Sequence, residues 1–196
     1  MNTILPKPLG GLLLASALAV STAHAGFFMG EFAPSHWTFS GPPSDIVWDP
    51  APPAAPSSVT VYAPKLENSI STLQLNPVSG LYTVSFRTTF NAMSAPTASL
   101  MMNAPGYIGE NLGTYPGDTM PTVKNFTFTM GPGDTIDFLM TADTTAIGDK
   151  KNVPFFTVDN WEVQAVPEPG QWAMMGLTAI GVVSYAIRHR RAQPTR

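Results

Sequence analysis

The chain has three histidines and no cysteine, which leaves little material for a catalytic triad or for a Cys- or His-based metal site. His24 and His189 lie near the two ends, which leaves His36, beside Trp37, for the stretch between them. A Ser-His-Asp or Cys-His arrangement needs nucleophile, base and orienting group within hydrogen-bond reach, and one histidine supplies little of it. His36 reads more simply as a half-buried structural residue, and no catalytic residue is assigned. A zinc centre needs several nitrogen or sulfur ligands, which one histidine cannot furnish.

Carboxylates act in pairs in glycoside hydrolysis, and Glu110, Asp118, Asp134, Asp137, Asp159 and Glu162 are the candidates. Each also has a plain structural role. Asp134 closes a Gly-Pro-Gly-Asp turn, an ordinary place for aspartate. Asp137 alternates with Ile136 and Phe138 and should face solvent, as Glu162 should beside Trp161 and Val163. Asp143, Asp149 and Asp159 flank loops and could serve Ca²⁺, but there is no D-x-D-x-D-G run. The expectation is therefore no cofactor and no resident metal, with Ca²⁺ as the alternative. Gly106–Gly109 and Gly131–Gly133 lack the strand-loop-helix context of a phosphate cradle. The sequon Asn125-Phe126-Thr127 falls within a strand pattern.

Binding to sugars asks for exposed rings with hydroxyl, amide or carboxylate neighbours. Trp37, Trp48, Tyr107 and Tyr115 lie in or near loop-like stretches and are the candidate sugar contacts. The same large rings can instead fill a core.

The elements that would position these residues are strands. Leu81–Asn91 shows the clearest alternation, with Tyr82, Val84, Phe86 and Phe90 on one face and Thr83, Ser85, Arg87 and Thr89 on the other. Asn125–Met130 repeats it with Phe126, Phe128 and Met130. Thr135–Thr141 follows a Gly131–Asp134 turn with Ile136, Phe138 and Met140, which predicts an antiparallel pair with Asn125–Met130. Val59–Tyr62, Ser71–Leu75, Phe155–Thr157 and Asn160–Ala165 read as further strands, with short ones at Trp37–Ser40, Ile46–Trp48 and Ser99–Met102. Pro105–Pro116 reads as a Gly- and Pro-rich loop. Gly41–Pro56 carries six prolines, which forbids a central strand there. No helical periodicity and no internal repeat appears in this body. The fold class is all-β, an antiparallel sandwich.

Both termini carry targeting patterns. Lys7, the apolar run Leu9–Val20 and the small-x-small triplet Ala23-His24-Ala25 form a signal peptide over residues 1–25, with export by the Sec machinery and cleavage before Gly26. At the other end, Val166-Pro167-Glu168-Pro169 is stiff and extended. Trp172–Ile187 is an uncharged run of 16 residues, about 24 Å long as a helix. That falls somewhat short of the ~30 Å hydrocarbon core, a gap that snorkelling arginines and local thinning close. Arg188, Arg190 and Arg191 stop the run and set its orientation, with the C-terminus cytoplasmic. Residues 26–57, aromatic- and Pro-rich, and residues 58–165 then make up the exported body. From Gly26 to Ala165 there are 12 acidic and 5 basic residues, a net charge of −7. Such a surface does not suit nucleic acid, which draws on clustered Lys and Arg.

The tripartite end over residues 166–191 resembles the PEP-CTERM sorting signal of bacteria that make exopolysaccharide. The motif is Val166-Pro167-Glu168-Pro169, followed by the membrane span and the basic tail at 188–191. The resemblance implies that a membrane-embedded exosortase recognises Pro167-Glu168-Pro169 and releases the protein from its anchor. It covers about 30 of the 196 residues and leaves the body open. Within the body, Gly80-Leu81-Tyr82-Thr83-Val84-Ser85-Phe86, Gly133-Asp134-Thr135-Ile136-Asp137-Phe138 and Val158-Asp159-Asn160-Trp161 resemble strands of domains found ahead of this signal. Those domains are jelly-roll-like sandwiches, related in shape to carbohydrate-binding modules. The expected protein is a non-enzymatic, exported one from a Gram-negative envelope. It passes through an inner-membrane-anchored precursor to the cell surface or the exopolysaccharide matrix. The alternative for the body is a carbohydrate-binding module for that polysaccharide, and a glycan-active hydrolase comes behind it.

Overall fold

The computed structural model describes residues 24–25, 28–64, 69–145, 147, 152–166, 176–178, 180–181 and 184–185. Ala23–Ala165 forms one compact unit. It holds two antiparallel sheets made of strands β1 (His24–Ala25), β2 (Trp37–Phe39), β3 (Ile46–Asp49), β4 (Ser58–Tyr62), β5 (Ser69–Leu75), β6 (Tyr82–Asn91), β7 (Thr97–Ala104), β8 (Tyr107–Tyr115), β9 (Thr122–Met130), β10 (Asp137–Asp143) and β11 (Phe155–Ala165). One sheet runs β3-β4-β11-β6-β9, with β1 also on β11; the other runs β2-β5-β10-β7-β8. The fold is a β-sandwich whose inner faces interdigitate, as alternating strands with one apolar side require.

The chain changes sheet at nearly every connection, and only β3–β4 and β7–β8 are consecutive neighbours. This corrects the expected pairing of Asn125–Met130 with its successor: β9 pairs with β6, while β10 pairs with β5 and β7. The Gly131–Asp134 turn bridges the sheets. Val78 holds it there through Gly133 N–H to Val78 O (2.9 Å) and Val78 N–H to Asp134 O (3.1 Å). The inward faces are nevertheless the expected ones. Phe126, Phe128 and Met130 meet the same core from one sheet as Ile136, Phe138 and Met140 do from the other.

Two strands differ from expectation. Pro105–Pro116 is mostly β8, an edge strand paired with β7 through two register shifts, at Leu100/Met101 and Met102/Ala104. Bulges and glycines break its alternation, so it carries no period of two. The two expected C-terminal strands are one, β11, interrupted by a bulge in which Asn160 and Trp161 oppose the single residue Phe86. Asn160 takes φ 51, a left-handed conformation that asparagine tolerates better than most residues. The extra residue switches the inward parity from Phe156 and Val158 to Trp161 and Val163, and so sends the indole into the core. There Trp161 lies stacked on Phe28 (4.8 Å) and Phe86 (5.0 Å), with Phe32 and Trp37 at its edges.

Backbone pairing of β1 sets His24 opposite Val163 and Ala25 opposite Glu162, so the expected cleavage bond follows directly on a laddered pair. Ala23, Pro167–Pro169, Arg188, Arg190, Arg191 and Asp149 lie outside the described residues. So does most of the expected membrane span. Its described residues, 176–178, 180–181 and 184–185, are helical and exposed. Among the described residues no helix is long and apolar enough to cross a membrane.

Candidate functional site

The outward face of the β2-β5-β10-β7-β8 sheet carries a groove of about 450 Å³, lined by β5, β7, β8 and β10. Register builds it. Thr141 lies opposite Ile70 on one side and Ser99 on the other, and Ser99 lies opposite Thr114. One row of outward side chains thus crosses four strands, about 14 Å at ~4.8 Å per strand. The row is small and hydroxylated over Thr141, Ser99 and Thr114, and Ile70 is its large member. Ile70 is 58% exposed; Tyr115, 39% exposed, lines the groove with Pro116 from the position opposite Ala98, outside this row. Buried Ala98 and Ala142 lie under the floor.

The floor is rich in hydroxyls, each able to donate and accept. Ser99 Oγ and Thr141 Oγ1 hydrogen-bond each other at 2.7 Å. Thr114 Oγ1 bonds the Asn111 side chain, and Thr114 N–H donates to Asp118 Oδ2 at 2.8 Å. Asp143 closes one end of the groove. Its Oδ1 accepts from the Thr145 hydroxyl (2.7 Å) and the Thr145 N–H (3.1 Å). These bonds, the hydroxyl's first, hold its carboxyl below the usual aspartate range, so it is charged near neutrality.

Of the four rings considered from the sequence, Tyr115 is the one brought to this groove. Trp37 is 9% exposed, and its Nε1 donates to Phe32 O at 3.0 Å. Trp48 meets Phe28 edge-on at 5.2 Å, and Tyr107 meets Phe126 at 5.3 Å. These three take the core-filling role. No local pattern marked Thr97, Ser99, Thr114 and Thr141, because hydroxyls on the wet face of a strand are commonplace. Only the register assembles them.

The six carboxylates considered for acid–base work are dispersed. Glu110 pairs with Lys124 at 2.9 Å, and Asp159 holds Arg87 in a two-pronged pair at 2.7 Å on the outer face of the other sheet. Asp118 accepts from Thr114 N–H, and Asp134 accepts from Gly131 N–H. Glu162 is exposed. Asp137 is on the outward side as expected, yet it is half-buried beside Gln74, and desolvation pushes its carboxyl above the usual range. His36 is exposed in a short turn, Pro34–His36. Of the loop aspartates considered for Ca²⁺, Asp143 is turned to Thr145 and Asp159 to Arg87. Among the described residues no three His, Asp or Glu side chains come together as a metal site would require.

Compared with known proteins, the chain matches no family model and no curated protein. Solved structures resemble it at low identity and low TM-score. The K1 cleaved adhesin domain of Lys-gingipain from Porphyromonas gingivalis W83 is 12% identical with a TM-score of 0.40, over 74% of this chain and 99% of that one. TmCBM61, solved with beta-1,4-galactotriose, is 15% identical with a TM-score of 0.34, over 72% and 92%. The family 29 carbohydrate binding module CBM29_1 from Piromyces equi is 13% identical with a TM-score of 0.29, over 76% and 93%.

Proposed function

We propose that the chain is an exported, non-catalytic protein of the bacterial envelope whose β-sandwich binds a glycan in the groove between Ile70 and Tyr115. One observation carries the reading: the groove pairs a ring and an aliphatic wall with a floor of hydroxyls. A sugar ring has apolar C–H faces and a hydroxyl rim, so it needs both surfaces in one concave site. Export through the Sec pathway and sorting by an exosortase at Val166–Pro169 complete the proposal. The precursor would be membrane-anchored and the released body would reach the cell surface or polysaccharide matrix. Leu177, Ile180 and Tyr185 support an anchor, since all three are large, helical and about two-thirds exposed.

The test is binding of the full chain, in detergent, to the soluble exopolysaccharide of the same cells, followed by calorimetry. Tyr115→Ala is expected to weaken binding by about fivefold to tenfold, the scale of one aromatic contact. The unfolding midpoint should not move. Undiminished affinity of Tyr115→Ala would remove the groove from the account. Intact mass of protein recovered from culture medium tests the sorting half, and a C-terminus still reaching Arg196 excludes release by cleavage.

A further inference from the structure

The groove is one end of a longer surface. Along β7 and β10 the outward residues continue past Ser99 and Thr141 to Met101 and Leu139, then to Asn103 and Asp137, which are register partners throughout. Beyond them lies a second hollow of about 230 Å³, lined by Asn103, Pro105, Asp134 and Thr135 among others. From the Ser99–Thr141 pair to the Asn103–Asp137 pair is four residues, about 14 Å at ~3.4 Å each. The surface between the hollows is apolar in its middle, where Met101 is 38% exposed beside half-buried Leu139. It becomes polar again at Gln74, Asp137 and Asn103, which form one cross-strand row. Hydroxyl, apolar and amide zones thus succeed one another along the strand direction.

Resting on the reading of the groove as a glycan site, we infer that the two hollows are ends of a single lane along β7 and β10. The lane holds an internal stretch of a linear glycan several sugars long. A site for one sugar or a chain end would need only the first hollow. A lane predicts that affinity depends on length and that residues remote from the groove matter only for long ligands.

The probe is a partial acid hydrolysate of the exopolysaccharide made by the same cells, fractionated from disaccharide to octasaccharide and titrated against the full chain in detergent. Affinity should climb at least tenfold between disaccharide and hexasaccharide and then level off. Met101→Ala and Thr135→Ala should each weaken the hexasaccharide by about threefold to tenfold, the worth of one contact, and leave the disaccharide unchanged. Ser99→Ala should weaken both. Equal affinity for short and long fragments, or equal loss for both in Met101→Ala, overturns the lane and leaves the groove standing. Binding to no fragment at all sinks the underlying reading instead.

Discussion

Trp161 offers a test of how the two sheets are held together. The indole is fully buried and sandwiched face to face between Phe28 and Phe86, at 4.8 and 5.0 Å with interplanar angles of 20° and 14°. Its Nε1 is buried and meets no hydrogen-bond acceptor among the described residues. These facts pull two substitutions apart. Trp161→Ala removes both stacks and leaves a large hole, which costs about 4 to 5 kcal/mol from the general cost of aromatic-to-alanine truncation. Trp161→Phe keeps a ring in the sandwich. It gives up about 1 to 2 kcal/mol of apolar contact and removes an unsatisfied N–H, itself a burden of about 1 to 3 kcal/mol. The two changes nearly offset, so Trp161→Phe should lie within about 1 kcal/mol of the parent.

Urea unfolding followed by circular dichroism at about 215 nm reads this, since that signal is dominated by the strand backbone. The midpoint of Trp161→Ala should fall steeply at unchanged slope, and that of Trp161→Phe should barely move. Against a typical total of about 5 to 15 kcal/mol, the alanine variant would lose from about a third to nearly all of its stability. If Trp161→Phe lost as much as Trp161→Ala, the indole nitrogen would have to be contributing a bond of its own, and the ring-sandwich argument would fail.

The bulge gives a backbone counterpart. Asn160→Gly should be neutral or slightly stabilising in the same assay, while Asn160→Val should cost about 1 to 3 kcal/mol, because φ 51 suits glycine and strains a β-branched residue; equal stabilities would argue against a left-handed residue there. Glu31 predicts part of the acid response. It accepts from the Ser79 hydroxyl and from Ser79 N–H at 2.8 Å, and the hydroxyl bond above all lowers its carboxyl below the ordinary 4.5. A depressed folded value adds stability above the unfolded pKa and loses it as pH falls through the folded one. Unfolding free energy measured from pH 6 to 3 should therefore drop less in Glu31→Gln than in the parent below about pH 4.5. Parallel curves would remove Glu31 from the acid response.

Strand faces were legible where a strand is regular on both sides. The reading of Leu81–Asn91 placed Val84, Phe86 and Phe90 inward, as they are in β6. Partners were not legible. Nothing in Asn125–Thr141 tells a hairpin from a sheet-to-sheet crossing, because both present the same inward residues; the difference lies in the bonds from the turn to distant Val78. β8 escaped notice because Gly109 sits at φ 65 and its register shifts twice. Gly113 adds to this. A Cβ there would come within 2.6 Å of the Phe90 ring, so the position must be bare, and a bare residue reads as loop.

The rings show why a candidate site is harder to read than a sheet. Large aromatics in Pro-rich stretches look available for ligands, because the segments that carry them look irregular. In this sandwich, however, the irregular segments and short 3-10 turns ahead of the long strands pack against the core. Phe28 and Phe32, which precede the first long strands, are buried for that reason, and Trp37 and Trp48 join them. The conspicuous residues are therefore spent on the core. A groove on a sheet is made by the reverse device, small hydroxylated residues of separate strands brought into one row. Ser99 and Thr141 stand 42 positions apart, and each is unremarkable in its own strand. Their meaning depends on Ile70 and Thr114 arriving on either side, which is a property of register and has no local signature.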